Sequence, residues 1–131
     1  MSARGPAVVP AARERGQAAV ETALVLPLIM AVALALVQVG LLVRDHVLVV
    51  HAAREAARAA AVDPTTEAAA DAALAATSLN PDRLLVETQG SRTTGGLLQV
   101  TVRFRPEPAV PLVGGLFPSV TIQETLTVRV E

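Results

Sequence analysis

Thr22–Val43, TALVLPLIMAVALALVQVGLLV, decides the fold: it is 22 residues long and carries no charge. As a helix rising 1.5 Å per residue it spans roughly 33 Å, against about 30 Å for the hydrocarbon of a bilayer. A helix apolar all round is either wrapped by a large core or set in lipid. The rest of the 131-residue chain is a poor wrapper, because it holds no Trp or Tyr, only Phe104 and Phe117 as aromatics, and much of its remaining apolar content is alanine. The stretch therefore reads as a membrane span. A cleaved secretory signal is the rival reading, but its apolar part is usually about 7–15 residues and ends at a small-residue site. Here the run ends at Arg44-Asp45-His46, and small residues return only at Ala52-Ala53. In the leader Met1–Gly16, Arg4, Arg13 and Arg15 face a single acid, Glu14. That bias puts the N-terminus in the cytoplasm and everything after about Arg44 outside.

Beyond the span the helical pattern continues. Leu41–Val62 has no Pro, and Arg44, His51, Arg54, Glu55 and Arg58 fall within an arc of about 100° on a helix, with Asp45 and His46 outside it. The remaining surface is Ala and Val. Asp63-Pro64 ends the helix, since proline disfavours helical geometry before it and lacks the backbone donor. Gln17–Val62 is thus expected as one rod, roughly 69 Å long if straight. A second helix is expected with Asp63 as cap and Pro64 at its first position, running through Glu67 to about Thr77. Asn80-Pro81-Asp82 marks a turn.

After Arg83 the period changes to two. Leu98, Val100, Val102 and Phe104 alternate with polar residues, as do Val120, Ile122, Leu126, Val128 and Val130, with Glu124 as an interruption that marks a bulge or an edge. Leu84–Thr88 is a weaker first strand, Gly90–Gly96 a polar hairpin loop, and Pro106–Pro118 a longer Pro/Gly-rich connection. Three antiparallel strands need a helix across their apolar face, and the Ala/Val face of the rod is the candidate. The expected fold class is α+β, a long transmembrane helix extending into a small three-stranded antiparallel sheet. Its parts are a basic leader at 1–16, a transmembrane and stem helix at 17–62, and a small extracytoplasmic domain at 63–131.

On the other side of the span stands Arg13-Glu14-Arg15-Gly16-Gln17-Ala18-Ala19-Val20-Glu21. Gly16 has no side chain, so a peptidase can approach the backbone closely there. Glu21 lies five residues on, at the edge of the apolar helix; deeper in, a carboxylate costs about 2.5–3.5 kcal/mol. On physics alone Glu21 reads equally well as an interfacial charge near a helix start.

Basic residues, then Gly, then Glu five positions on, then an uncharged helix resembles the start of type IV prepilins. The closer resemblance is to TadE-like pilus assembly proteins of the tight-adherence (Tad/Flp) system. It is carried by Gln17-Ala-Ala-Val-Glu-Thr-Ala-Leu-Val-Leu-Pro27, by Gln38-Val-Gly40 and by His51-Ala-Ala-Arg-Glu-Ala-Ala-Arg-Ala-Ala-Ala61, and covers roughly Arg15–Val62. The tail Val110-Pro-Leu-Val-Gly-Gly-Leu-Phe117 is similar but less specific. The resemblance implies a pilin-like fold, cleavage by a membrane prepilin peptidase between Gly16 and Gln17, and a Glu21 that neutralises the new α-amino group of a neighbouring subunit. Two opposite charges in hydrocarbon are tolerable only when paired. Gln17 departs from the aromatic residue that often follows the cut in pilins.

Pro27 reads as a tolerated kink or as a local melting point for filament entry. Gln38 and Gly40 read as a helix–helix contact or as incidental. Arg54, Glu55 and Arg58 read as a solvated face with i,i+3 pairing or, from the resemblance, as a subunit contact.

The chain holds no Cys, which excludes disulfides and thiolate sites. His46 and His51 are five apart and do not share a helical face. No acid–His pair, phosphate loop or nucleophile elbow occurs, and Gly114-Gly115 precedes no helix. The net charge of −1 implies no nucleic-acid partner. No cofactor, metal or small-molecule substrate is expected, and no enzyme. The expected function is a minor pilin or pseudopilin that helps assemble or prime a pilus or secretion filament. Its expected partners are the membrane, a prepilin peptidase, other pilin or pseudopilin subunits and the assembly platform. A membrane-anchored adhesion or scaffold module that never enters a filament is the alternative.

Overall fold

The computed structural model describes residues 11–107, 109–110, 115 and 120–131, with side chains from residue 16 onward. Most of the expected leader, the larger part of the Pro106–Pro118 connection and most of the Val110–Phe117 stretch lie outside the described residues.

Helix α1 runs unbroken over Ala11–Val62, 52 residues or roughly 78 Å. It starts before the rod expected from Gln17, so the end of the basic leader is helical. Ala11, Ala12, Arg13, Glu14 and Arg15 are strong helix formers, and only Gly16 opposes them. Pro27 sits inside α1 without ending it. Thr22 returns its hydroxyl to the Ala18 carbonyl at 2.9 Å, which satisfies a polar group on an apolar helix.

At Val62 the helix stops as expected, with Asp63 N–H still bonded to the Ala59 carbonyl at 2.8 Å. Helix α2 spans Thr66–Ala75, shorter at both ends than expected. Its cap is Thr65, whose hydroxyl accepts from Ala68 N–H at 3.2 Å. Asp63 acts one step earlier, accepting from Thr65 N–H at 3.2 Å and shaping the turn. Just past the proline, the Thr65 hydroxyl takes the capping role that the Asp63 carboxylate also offers.

The strands are β1 (Leu84–Gly90), β2 (Leu97–Phe104) and β3 (Ile122–Arg129), in the order β1-β2-β3 and antiparallel throughout. A 3₁₀ turn at Pro81–Arg83 leads into β1, with Asn80 accepting from Asp82 N–H at 3.0 Å. The β1–β2 hairpin requires Gly90, whose φ is +126° and whose Cβ would meet the Leu97 carbonyl oxygen at 2.5 Å. β1 extends to this glycine, past the expected end at Thr88. β3 begins at Ile122, two residues later than expected, and Val120 is exposed. The pairing of β2 with β3 runs without a skip from Phe104↔Ile122 to Leu97↔Arg129, with Glu124 opposite Val102. Glu124 therefore marks an edge strand, not a bulge.

One face of the sheet is covered by both helices, α1 over β2 and β3 and α2 over β1. The shared core contains Val49, Ala52, Ala53, Ala56 and Ala60 of α1, Ala69 and Ala73 of α2, and Leu98, Val100, Val102, Phe104 and Ile122 of the sheet. Alanines let helix and sheet backbones approach closely, while β2 supplies the bulk. The Glu131 N–H bonds the Ala61 carbonyl at 2.8 Å and pins the end of the sheet to the end of α1. The observed class is α+β, as expected.

Candidate functional site at the head of the long helix

From Gly16 to Ala33 every residue of α1 is exposed. Leu24 is 74% exposed and Leu28 65%, values that water does not favour and lipid does. This bare segment is about 27 Å long, close to one hydrocarbon thickness. From Leu34 one face is shielded, through Ala35, Gln38, Leu41, Leu42 and Asp45, while Leu36, Val39 and Val43 on other faces stay exposed.

Gly16, Gln17, Val20, Glu21 and Leu24 line one shallow recess at the head of the bare segment. Gln17 and Glu21 are one turn apart and share a face. A Cβ built on Gly16 meets no heavy atom within 4 Å. Glycine inside a helix costs roughly 0.5–1 kcal/mol relative to alanine. Nothing described in this fold therefore requires glycine at 16, and the residue weakens the helix at that point. A peptidase needs an extended strand rather than a helix, so such a weak point favours local opening. Glu21 is exposed, and none of the ion pairs among the described residues includes it.

Gln38 and Gly40 fall on different sides of α1. Gln38 is 4% exposed, and its Oε1 has no hydrogen-bond partner. Gly40 is exposed and open, with no atom near its added Cβ. Two residues are 200° apart on a helix, so a single contact cannot use both. Arg54 and Arg58 are exposed and Glu55 is half-buried, with Arg58 and Glu55 3.9 Å apart. His46 and His51 are exposed, and no cluster of metal-ligating side chains occurs among the described residues.

Asp45 was passed over in the sequence because it lies off the polar stripe. It is half-buried, two turns from Gln38 on the same face. Burial raises its pKa, and Arg44, 3.8 Å away, opposes the shift. The signal was available, since a seven-residue step keeps the helical face.

A bare apolar helical half joined without a break to a half that carries a small sheet defines a helix-anchored protein. One N-terminal helix of this length and apolarity fits a single-pass membrane protein. Residues 16–58, about a third of the chain, match the family model described as TadE-like protein, so this part of the chain is similar to that family. The match begins at Gly16 and ends at Arg58. No curated protein and no solved structure shows a match.

Proposed function

We propose that this chain is a minor pilin or pseudopilin, non-enzymatic, that helps assemble or prime a Tad-type filament. The observation that carries the reading is Gly16: a helix-weakening glycine without a described packing role, at the start of the TadE-like match and five residues before an exposed Glu21. In this reading a prepilin peptidase cuts between Gly16 and Gln17. The chain then holds the Gln17 amine and the Glu21 carboxylate at the mouth of the bilayer. In a packed bundle Glu21 pairs with the amine of a neighbouring pilin subunit, and the sheet domain lies outside the cell.

Intact-mass analysis of membrane-extracted protein tests the cut, with Gly16→Leu expected to leave the uncut form. Glu21→Gln is expected to accumulate, to be cleaved and to keep its domain fold. It is also expected to lose co-purification with other pilins, because breaking a buried ion pair costs about 3–5 kcal/mol. An intact N-terminus in cells that carry the peptidase, or full assembly of Glu21→Gln, contradicts the reading.

A further inference from the structure

The two helices carry opposite charges on the faces they turn away from the core. On α1, Arg54 and Arg58 are exposed one turn apart, opposite the buried Ala52, Ala53, Ala56 and Ala60. On α2, Glu67 and Asp71 are exposed one turn apart, opposite the buried Ala69 and Ala73. None of the ion pairs among the described residues involves Glu67 or Asp71, so the acids are not matched within the subunit. Glu55 touches the basic ridge from its flank, yet the Arg58 side chain stays 81% exposed. Arg92 borders the acidic ridge, reaching the Thr66 hydroxyl at 3.5 Å.

We infer that these ridges join copies of this chain head to tail, Arg54 and Arg58 of one subunit against Asp71 and Glu67 of the next. Both ridges have the same spacing, four residues or about 6 Å. Only Asp63–Thr65 separates the helices, so α2 folds back beside α1 and descends as α1 rises. Counted from the turn, Asp71 then lies near the level of Arg58 and Glu67 about one turn higher, so Arg54 meets Asp71 and Arg58 meets Glu67 when neighbouring subunits are offset by about one turn. Two subunits anchored in one membrane can meet side by side with that small offset. A contact between different faces is heterologous, the kind that propagates into rings or helical filaments. The inference rests on the reading of the chain as an assembling subunit and supplies that subunit's lateral partner, a second copy.

The chain has no cysteine, which permits a direct test in membranes with the full-length protein. His51 and Leu74 are exposed beside the two ridges and carry none of their charges. Differently tagged His51→Cys and Leu74→Cys copies are co-expressed and treated with a short bismaleimide. A mixed dimer is expected, and no dimer when either copy is expressed alone. Adding R54E and R58E to the His51→Cys copy should lower the yield about tenfold, since two pairs are lost and like charges oppose. Adding E67R and D71R to the Leu74→Cys partner should then restore it. Circular dichroism of the purified variants checks that each remains folded. Dimers from a single variant, no mixed dimer, or a yield indifferent to charge reversal overturns the inference. The N-terminal mass in the same sample reports the Gly16 cut, so failure of that reading shows separately.

Discussion

The two halves of α1 are both rich in alanine and valine and differ in what surrounds them. Ala31 and Ala33 are exposed on the bare half, whereas Ala52, Ala53, Ala56 and Ala60 are fully buried beneath the sheet. The helix is continuous across both, so the backbone does not distinguish them. The difference lies in the partner: β2 offers Leu98, Val100, Val102 and Phe104 to the far half, and nothing described covers Gly16–Ala33. Small residues in the far half serve close packing. The same residue type in the near half is compatible with lipid or with neighbouring helices.

The comparison breaks most sharply at the core. Leu98→Ala should cost the sheet domain about 2–5 kcal/mol, seen as a lower thermal midpoint in detergent, with membrane retention unchanged. If the midpoint holds, the sheet is not seated on α1. The mirror experiment is Leu28→Arg, a charge in the bare half. It should oppose insertion by about 2.5–3.5 kcal/mol and move protein out of the membrane fraction, while the domain's melting stays as in the parent. A smaller effect separates the alanines. Ala56→Leu should overpack the core and destabilise by about 1–3 kcal/mol, whereas Ala31→Leu should leave melting unaltered. Equal behaviour of the pair would erase the distinction between the halves.

The smallest expected effect concerns Asp45, near the point where the halves meet. Its folded-state pKa is raised by burial, so the folded state holds the proton more tightly than the unfolded chain. Stability is then greatest below the ordinary carboxylate value of 3.8 and declines as pH rises through the raised value. Asp45→Asn should flatten this slope in thermal melts taken across acidic pH. An unchanged slope would assign the pH dependence elsewhere.

Much of the architecture was legible in the residues. The uncharged run at Thr22–Val43, the break at Asp63-Pro64 and the alternation through Leu98–Phe104 each rest on local chemistry and periodicity. The boundary residues Gly16 and Glu21 were legible as a pattern, and the structure adds that Gly16 meets no described packing neighbour. Less accessible were the choice of Thr65 over Asp63 as cap and the onset of β3 at Ile122 rather than Val120. In both cases two neighbouring residues satisfied the same local rule, and the sequence pattern did not choose between them.

By itself the sequence determined that one long helix forms, that it is apolar enough to span a bilayer, and that strands follow it. These properties come from hydropathy, helix-forming composition and proline, which act over a few residues. The Ala/Val face was legible as the sheet's cover, and only the tertiary structure decided how far along the helix that cover reaches. That choice shields Gln38 and Asp45, leaves Gly40 open, and turns the Arg54–Arg58 and Glu67–Asp71 ridges outward. The physical reason is that a face is buried by what packs on it. Here β2 and β3 are separated from α1 by tens of residues, and no local pattern in the helix fixes where along it they seat.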